Sequence, residues 1–149
     1  MILTALVERA HASQDYTELL AVIPYARTIG LECHRFGDDV IFRLPQQDSN
    51  IGNPVLPAIH GGVLGGFMEL SASLYLLMFQ PVPQMPKIVD FSIDFLRAGL
   101  NRDTFVECEL TRQGNRVANV IIHAWQKSRQ DPIALARAHF LFKTAKKQG

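Results

Sequence analysis

His60-Gly61-Gly62-Val63-Leu64-Gly65-Gly66-Phe67-Met68-Glu69-Leu70 opens an apolar run that continues to Phe79. Its length and its bounding glycines and prolines read as a helix over 60–79. With hardly a polar face, that helix has to be covered on most sides. Glu69 is the exception, the only formally charged side chain between Ile51 and Pro86. An ionised acid in apolar surroundings is costly unless it has a partner, a raised pKa or a task. Placed near glycines that bare the backbone, it marks a candidate catalytic site.

The cover for this helix is written on both sides of it. Four strand signals follow, at Ile88 to Leu96, Thr104 to Arg112, Arg116 to Gln126 and Ile133 to Lys143. In the first, Phe91, Ile93 and Phe95 alternate with Asp90, Ser92 and Asp94, the period of a sheet buried on one face. Turn signals at Gly99 to Asp103, Gln113-Gly114-Asn115 and Arg129 to Pro132 suit antiparallel meanders. Ahead of the helix, Leu31 to Phe36 and Val40 to Leu44 flank Gly37-Asp38-Asp39 as a hairpin. The stretch Gln46 to Pro57 is expected to be a loop, long enough to carry function. Within residues 1–24, a helix from about Thr4 to Val22 carries Leu6, Ala10, Leu19, Leu20 and Ile23 in a loose stripe before Pro24, and is expected as a cover. Helix, two strands, apolar helix and four strands give the α+β class, with an antiparallel sheet wrapped around a central helix. The strand–helix alternation of a doubly wound nucleotide fold is absent.

At 149 residues the chain is expected to form one domain over 1–149, large enough to bury a core without disulfides or metals. The 15 Lys+Arg against 14 Asp+Glu leave a formal charge of +1, which offers no broad footprint for nucleic acid. Lys143, Lys146 and Lys147 read as a solvated terminus. Hydrophobic residues make up 48% of the chain, enough to supply an interface between copies. Ile59 to Phe79 has the length of a membrane span, but it lacks a basic flank and carries Glu69 near its middle. The strands need it as their core, so no membrane partner is expected. Cys33 and Cys108 lack CxxC spacing and read as free buried thiols in a reducing compartment, the cytoplasm. Met1 to Leu6 has no basic run and is soon followed by Glu8 and Arg9, so it does not read as a secretory signal. His11, His34, His123 and His139 show no metal-ligand spacing, and neither a metal nor another cofactor is expected.

A helix that starts near Gly61 has unpaired amides in its first turn, and glycine lets a ligand oxygen approach them. With the macrodipole, this is the making of an oxyanion hole. Close packing of helix on sheet is the other use of Gly61, Gly62, Gly65 and Gly66. Eight residues at 1.5 Å rise put Glu69 ~12 Å from Gly61 along the helix, too far for both to act on one bond. Two antiparallel copies of the helix about a two-fold axis bring Gly61 of one chain to Glu69 of the other, so joint action requires a dimer. Ser73, one turn after Glu69, is placed to orient the carboxylate or a water, or to bond back to its own helix. His60 is placed to touch a ligand or to cap the helix.

His60 to Leu64, Glu69 nine residues past the histidine and Ser73 a turn further form one set of motifs. Pro24-Tyr25-Ala26-Arg27 leading to Ile29-Gly30-Leu31, Ile93 to Gly99 and Arg112 to Arg116 form another. In this order they resemble the hotdog-fold acyl-CoA thioesterases of the phenylacetate-degradation type, over nearly all of the chain after Pro24. The resemblance implies a hotdog fold and hydrolysis of an acyl-CoA thioester to free acid and coenzyme A. It implies Glu69 as nucleophile or general base, the partner subunit's Gly61 amide as oxyanion donor, an assisting Ser73, and His60 near the thioester. Coenzyme A enters as part of the substrate, and a homodimer or a dimer of dimers is expected. Asn53, Gly62, Arg97, Arg112 and Arg116 are the substrate-binding candidates, the arginines for coenzyme A phosphates or else as solvated strand ends. Pro57 stands where the family has a glycine. Asn53 lies seven residues before His60 where the family's amide is about six before, so the entry loop looks one residue longer.

Two other readings compete. Hydroxyacyl-thioester dehydratases of this fold would use a histidine in the entry loop, but Asn53-Pro54-Val55-Leu56-Pro57 holds none before His60. A non-catalytic acyl-CoA-binding protein draws its support from the altered loop around Pro57. The acyl group is set by packing of residues such as Phe67, Leu70, Tyr75 and Met78, which no motif fixes.

Overall fold

A computed structural model describes residues 2–79 and 84–142. Three short helices come first: α1 (Ile2–Ser13), α2 (Thr17–Ala21) and α3 (Pro24–Ile29). Strands β1 (Glu32–Phe36) and β2 (Asp39–Leu44) follow, then a two-stranded ribbon of β3 (Ile51–Asn53) and β4 (Ala58–Ile59). The long helix α4 spans Gly61–Phe79, and four strands complete the chain: β5 (Lys87–Phe95), β6 (Thr104–Gln113), β7 (Val117–Trp125) and β8 (Ala134–Leu141). The main sheet has the order β1-β2-β6-β7-β8-β5, antiparallel throughout, and α4 packs on it.

The strand alternation decides which face meets the helix. Val120, Ile122 and Ala124 of β7, and Ala134, Ala138 and Phe140 of β8, are fully buried and share a face with Phe42 and Val106. Alanines there allow a close approach by α4, whose Phe67, Met68, Ala72, Leu74 and Leu77 are fully buried. Among the described residues α4 is the one helix long and apolar enough to cross a membrane, and more than half of its apolar stretch is buried inside this fold. The β1–β2 hairpin turns at Gly37, whose φ of 66° glycine takes without strain.

Three expectations are corrected. The N-terminal helix is broken, because Gln14 takes φ 57° and the Asp15 carboxylate accepts hydrogen bonds from the Thr17 amide and hydroxyl, starting a new helix. These bonds hold the Asp15 carboxyl below its ordinary value. Pro24 begins α3 as well as ending what precedes it, since its missing N–H costs nothing in a first turn. The burial of Leu6, Val7, Ala10, Leu19 and Leu20 agrees with the expected cover.

The second correction concerns order in the sheet. Strands β6, β7 and β8 form a meander, but β5 pairs with β8 at the edge, so the segment after β5 crosses the end of the sheet to reach β6. That crossing is anchored by the Gln126 side chain, which accepts from the Leu100 amide and donates to the Leu100 carbonyl. The third lies in the 46–57 stretch, which is partly ordered as a short turn of 3-10 helix at Asp48–Asn50 and the strand β3. The last strand ends at Leu141; Lys143, to which it was expected to run, and Lys146 and Lys147 lie outside the described residues. Cys33 and Cys108 are free and half-buried, and burial pushes the Cys33 thiol up to about 12 and the Cys108 thiol higher still.

Candidate active site

The ribbon β3–β4 delivers the chain to α4. The His60 amide donates to the Asn50 carbonyl at 2.8 Å, and the His60 carbonyl accepts from Leu64, closing the first turn. The His60 ring then folds over that turn, its Nδ1 accepting the Gly62 N–H at 2.9 Å. Of the two uses open to His60, the structure shows the cap. A Cβ on Gly62 would stand 2.9 Å from this ring, so glycine is what admits it.

With the Gly62 amide engaged, the Gly61 N–H takes no acceptor among the described residues. Its exposed Cα faces β5, where a Cβ would meet the Phe95 ring at 3.4 Å, and Gly65 one turn on faces Phe91 in the same way. Gly61 and Gly65 therefore serve packing along β5, and the Gly61 amide is left free.

Gly66, Glu69 and Ser73 fall on a stripe of α4 that faces α3 and not the sheet. Glu69 is half-buried. This corrects the expectation of an acid enclosed in apolar core: three- and four-residue spacings carry it away from the sheet. It opens onto a pocket of ≈ 310 Å³ lined by Tyr25, Gly66, Glu69, Leu70 and Ser73. The buried Ser73 hydroxyl donates to the Glu69 backbone carbonyl at 3.2 Å, the back-bond to its own helix. Glu69 and Gly61 share one continuous helix, ~12 Å apart by its rise, so a single chain does not bring them together.

The other candidates are dispersed. Asn53 is exposed, and its side-chain oxygen accepts from the Val55 and Leu56 amides, closing a turn away from the pocket. Arg97 follows the end of β5 and lies 3.9 Å from Asp131. Arg112 and Arg116 line a cavity of ≈ 560 Å³ at the β6–β7 turn, at the opposite end of the sheet. Phe67 and Met78 are buried in the core, whereas Tyr75 packs on Phe79 with ring centroids 5.0 Å apart. Only Leu70 of the four acyl-group residues lines the Glu69 pocket.

Two residues were not singled out from the sequence. Asn50 is buried, and its amide donates to the Ile29 carbonyl, tying the entry loop to α3. Tyr25 forms the wall of the pocket opposite Glu69; burial first, and the Glu69 charge second, raise its phenol above the ordinary value. Its one signal is position, just after the proline that starts α3.

The comparisons with known proteins agree with this architecture. Residues 56–133 match the model of the thioesterase superfamily. A protein of known structure from Chromobacterium violaceum is 38% identical, with 94% of this chain and 98% of that chain covered and a TM-score of 0.77. A phenylacetic acid degradation-related protein from Ralstonia eutropha shares 19% identity over 85% of this chain and 98% of that chain, TM-score 0.73. A thioesterase from Haemophilus influenzae shares 17% over 83% and 85%, TM-score 0.72. At the two lower identities the likeness is one of fold, a six-stranded antiparallel sheet on one long helix. A search of the curated proteins gives no match. The matched residues begin at the entry loop and run through α4 to the start of β8, and with the hotdog architecture they show that the chain belongs to the thioesterase superfamily.

Proposed function

We propose that the protein hydrolyses an acyl-coenzyme A thioester to free acid and coenzyme A, in the manner of the phenylacetate-degradation type, with Glu69 as general base. The observation that carries this reading is the pocket between α3 and α4 with a carboxylate on its wall, in a chain of the thioesterase superfamily. Glu69 accepts a proton from water as the water oxygen forms a C–O bond with the thioester carbon. The carbonyl π pair moves onto oxygen, where the Gly61 N–H and the helix dipole stabilise it. Collapse restores the carbonyl, breaks the C–S bond, and the proton held by Glu69 goes to the departing thiolate. Attack by the Glu69 carboxylate itself, through an anhydride, would use the same groups.

The two groups meet only across a two-fold axis, so the reading requires a homodimer, alone or paired as a dimer of dimers. The open edge of β5 supports that: Val89, Phe95 and Leu96 are about half exposed there, and a bare apolar edge strand invites pairing. Antiparallel pairing of β5 with its copy also carries the Arg112–Arg116 turn of one subunit toward the Arg97 end of the other, gathering cations for coenzyme A phosphates. His60 fixes the turn that presents Gly61, Gly62 lets the ring do so, Ser73 steadies the turn that carries Glu69, and Asn53 shapes the entry loop. Coenzyme A comes with the substrate, and no separate cofactor takes part. Free half-buried thiols fit a reducing cytoplasm.

The test is Glu69→Gln against a panel of acyl-CoAs, scored by release of free thiol. Turnover is expected to fall by about 10²–10⁴-fold with the melting temperature retained. A well-folded Glu69→Gln that keeps most of its activity would overturn the reading.

A further inference from the structure

The pocket beside Glu69 holds a second polar group that the hydrolysis just described does not use. Tyr25, on α3, leans across α4 at Gly66: a Cβ there would overlap the phenol oxygen and lie 2.7 Å from ring carbons Cε1 and Cζ unless the Tyr25 side chain moved. Gly66 is one turn before Glu69, and Ser73 one turn after, so the Tyr25 hydroxyl and the carboxylate face one space.

The donors around that space can be counted from its lining. The Ser73 hydroxyl is engaged by the Glu69 carbonyl. Gly66 and Leu70 bring no side-chain polar atom. The Tyr25 hydroxyl makes no hydrogen bond within the described residues, which leaves it as the free side-chain donor of the pocket. Burial and the neighbouring negative charge keep it protonated. No cation lines the pocket: Arg27, also on α3, lines a separate cleft with Thr17 and Glu32. From the sheet, β2, β5, β7 and β8 turn Phe42, Phe91, Ile122 and Phe140 inward, and β6 adds the Cys108 thiol, kept neutral by burial.

We infer that Tyr25 is a catalytic residue that holds the hydrolytic water, its O–H donating to the water oxygen while the water donates to Glu69. One lone pair of the water is then taken by the phenol and one hydrogen by the carboxylate, and the remaining lone pair is aimed at the thioester carbon. In the chemical step the Tyr25 proton stays on Tyr25, and the water proton passes to Glu69 as before.

This inference rests on the general-base reading of Glu69, and the test separates the two. Tyr25→Phe keeps the ring that packs on Gly66 and removes only the donor. Measured on the best substrate from the acyl-CoA panel, its kcat is expected to fall about tenfold or more with KM within about twofold. A loss carried by kcat with KM retained is a split that a merely structural role would not produce. If Glu69→Gln is inactive while Tyr25→Phe keeps wild-type kcat, the assignment of Tyr25 is overturned and the site stands. An effect confined to KM overturns it as well, since the phenol then binds substrate and not water. If Glu69→Gln is active, the site reading itself has failed. Should Tyr25→Phe fold poorly, 3-fluorotyrosine at position 25 keeps shape and changes donor strength; an altered kcat supports the assignment, and an unaltered one overturns it.

Discussion

His60 uses its ring on the helix: Nδ1 accepts the Gly62 amide, and the Gly61 amide before it is left without an acceptor among the described residues. Removing the cap in His60→Ala is expected to cost about 1 kcal/mol of stability, and His60→Asn, whose short side chain also caps, to recover most of it; thermal melts of both check this. Such roles were only half legible in the sequence. Histidine before paired glycines marked a helix start, but whether it would cap or touch a ligand depended on the direction of one ring. Ser73 was undecided for the same reason, and its hydroxyl turned back to its own helix. Away from the site, Arg43 bridges Glu32 and Asp103 at 2.7 Å each, and the Arg43 and Gln46 donors hold the Asp103 carboxyl below its ordinary 3.8. A lowered folded pKa gives stability that is present above the unfolded value and lost as pH falls through the folded one. Asp103→Asn is therefore expected to melt earlier than the parent at pH 7, with the gap narrowing as pH falls below the ordinary carboxylate value and closing once the folded carboxyl is protonated, as melts across acid pH would show.

Elements were read best where pattern and packing agree. The alternation Phe91, Ile93, Phe95 named one face of β5, and Phe91 and Phe95 on it meet Gly65 and Gly61 of α4, although Phe95 at the strand end stays about half exposed. What the alternation lacked was the neighbour: period-two burial is the same whether a strand pairs with β6 or with β8, and the crossing loop that decides it is held by Gln126, distant in sequence. The N-terminal stripe failed differently. Leu6, Ala10, Leu19 and Leu20 are buried as expected, but Gln14 and Asp15 break the helix between them, because a local carboxylate–Thr17 bond outweighs one more turn. The contact between α3 and α4 makes a prediction of its own. Gly66→Ala gains helix propensity of about 1 kcal/mol but pushes on the far end of the Tyr25 side chain, which can swing aside. The melting temperature is expected to move little while kcat falls about as far as in Tyr25→Phe, which paired melting and turnover assays would show.

At the scale of the whole molecule, one chain carries both halves of the proposed site on a single helix and cannot bring them together. The rise of α4 keeps the Gly61 amide ~12 Å from Glu69, whereas the open, partly apolar edge of β5 offers a surface for a second copy. Complementation between two inactive variants tests that arrangement. Glu69→Gln removes the base. Gly61→Val places a branched side chain where a single Cβ already meets Phe95 at 3.4 Å, and it shields the free amide. In a heterodimer of the two, one site carries both lesions and the other carries neither. Each parent is expected to be inactive, and the heterodimer, formed by subunit exchange and purified on two different tags, to regain about half the activity of the wild-type dimer. Sites contained within one chain would leave every site in the heterodimer damaged and restore nothing. A confirmed heterodimer without activity would therefore show that Gly61 and Glu69 do not cooperate across a two-fold interface, and the oxyanion donor would have to be sought within the subunit that carries the base.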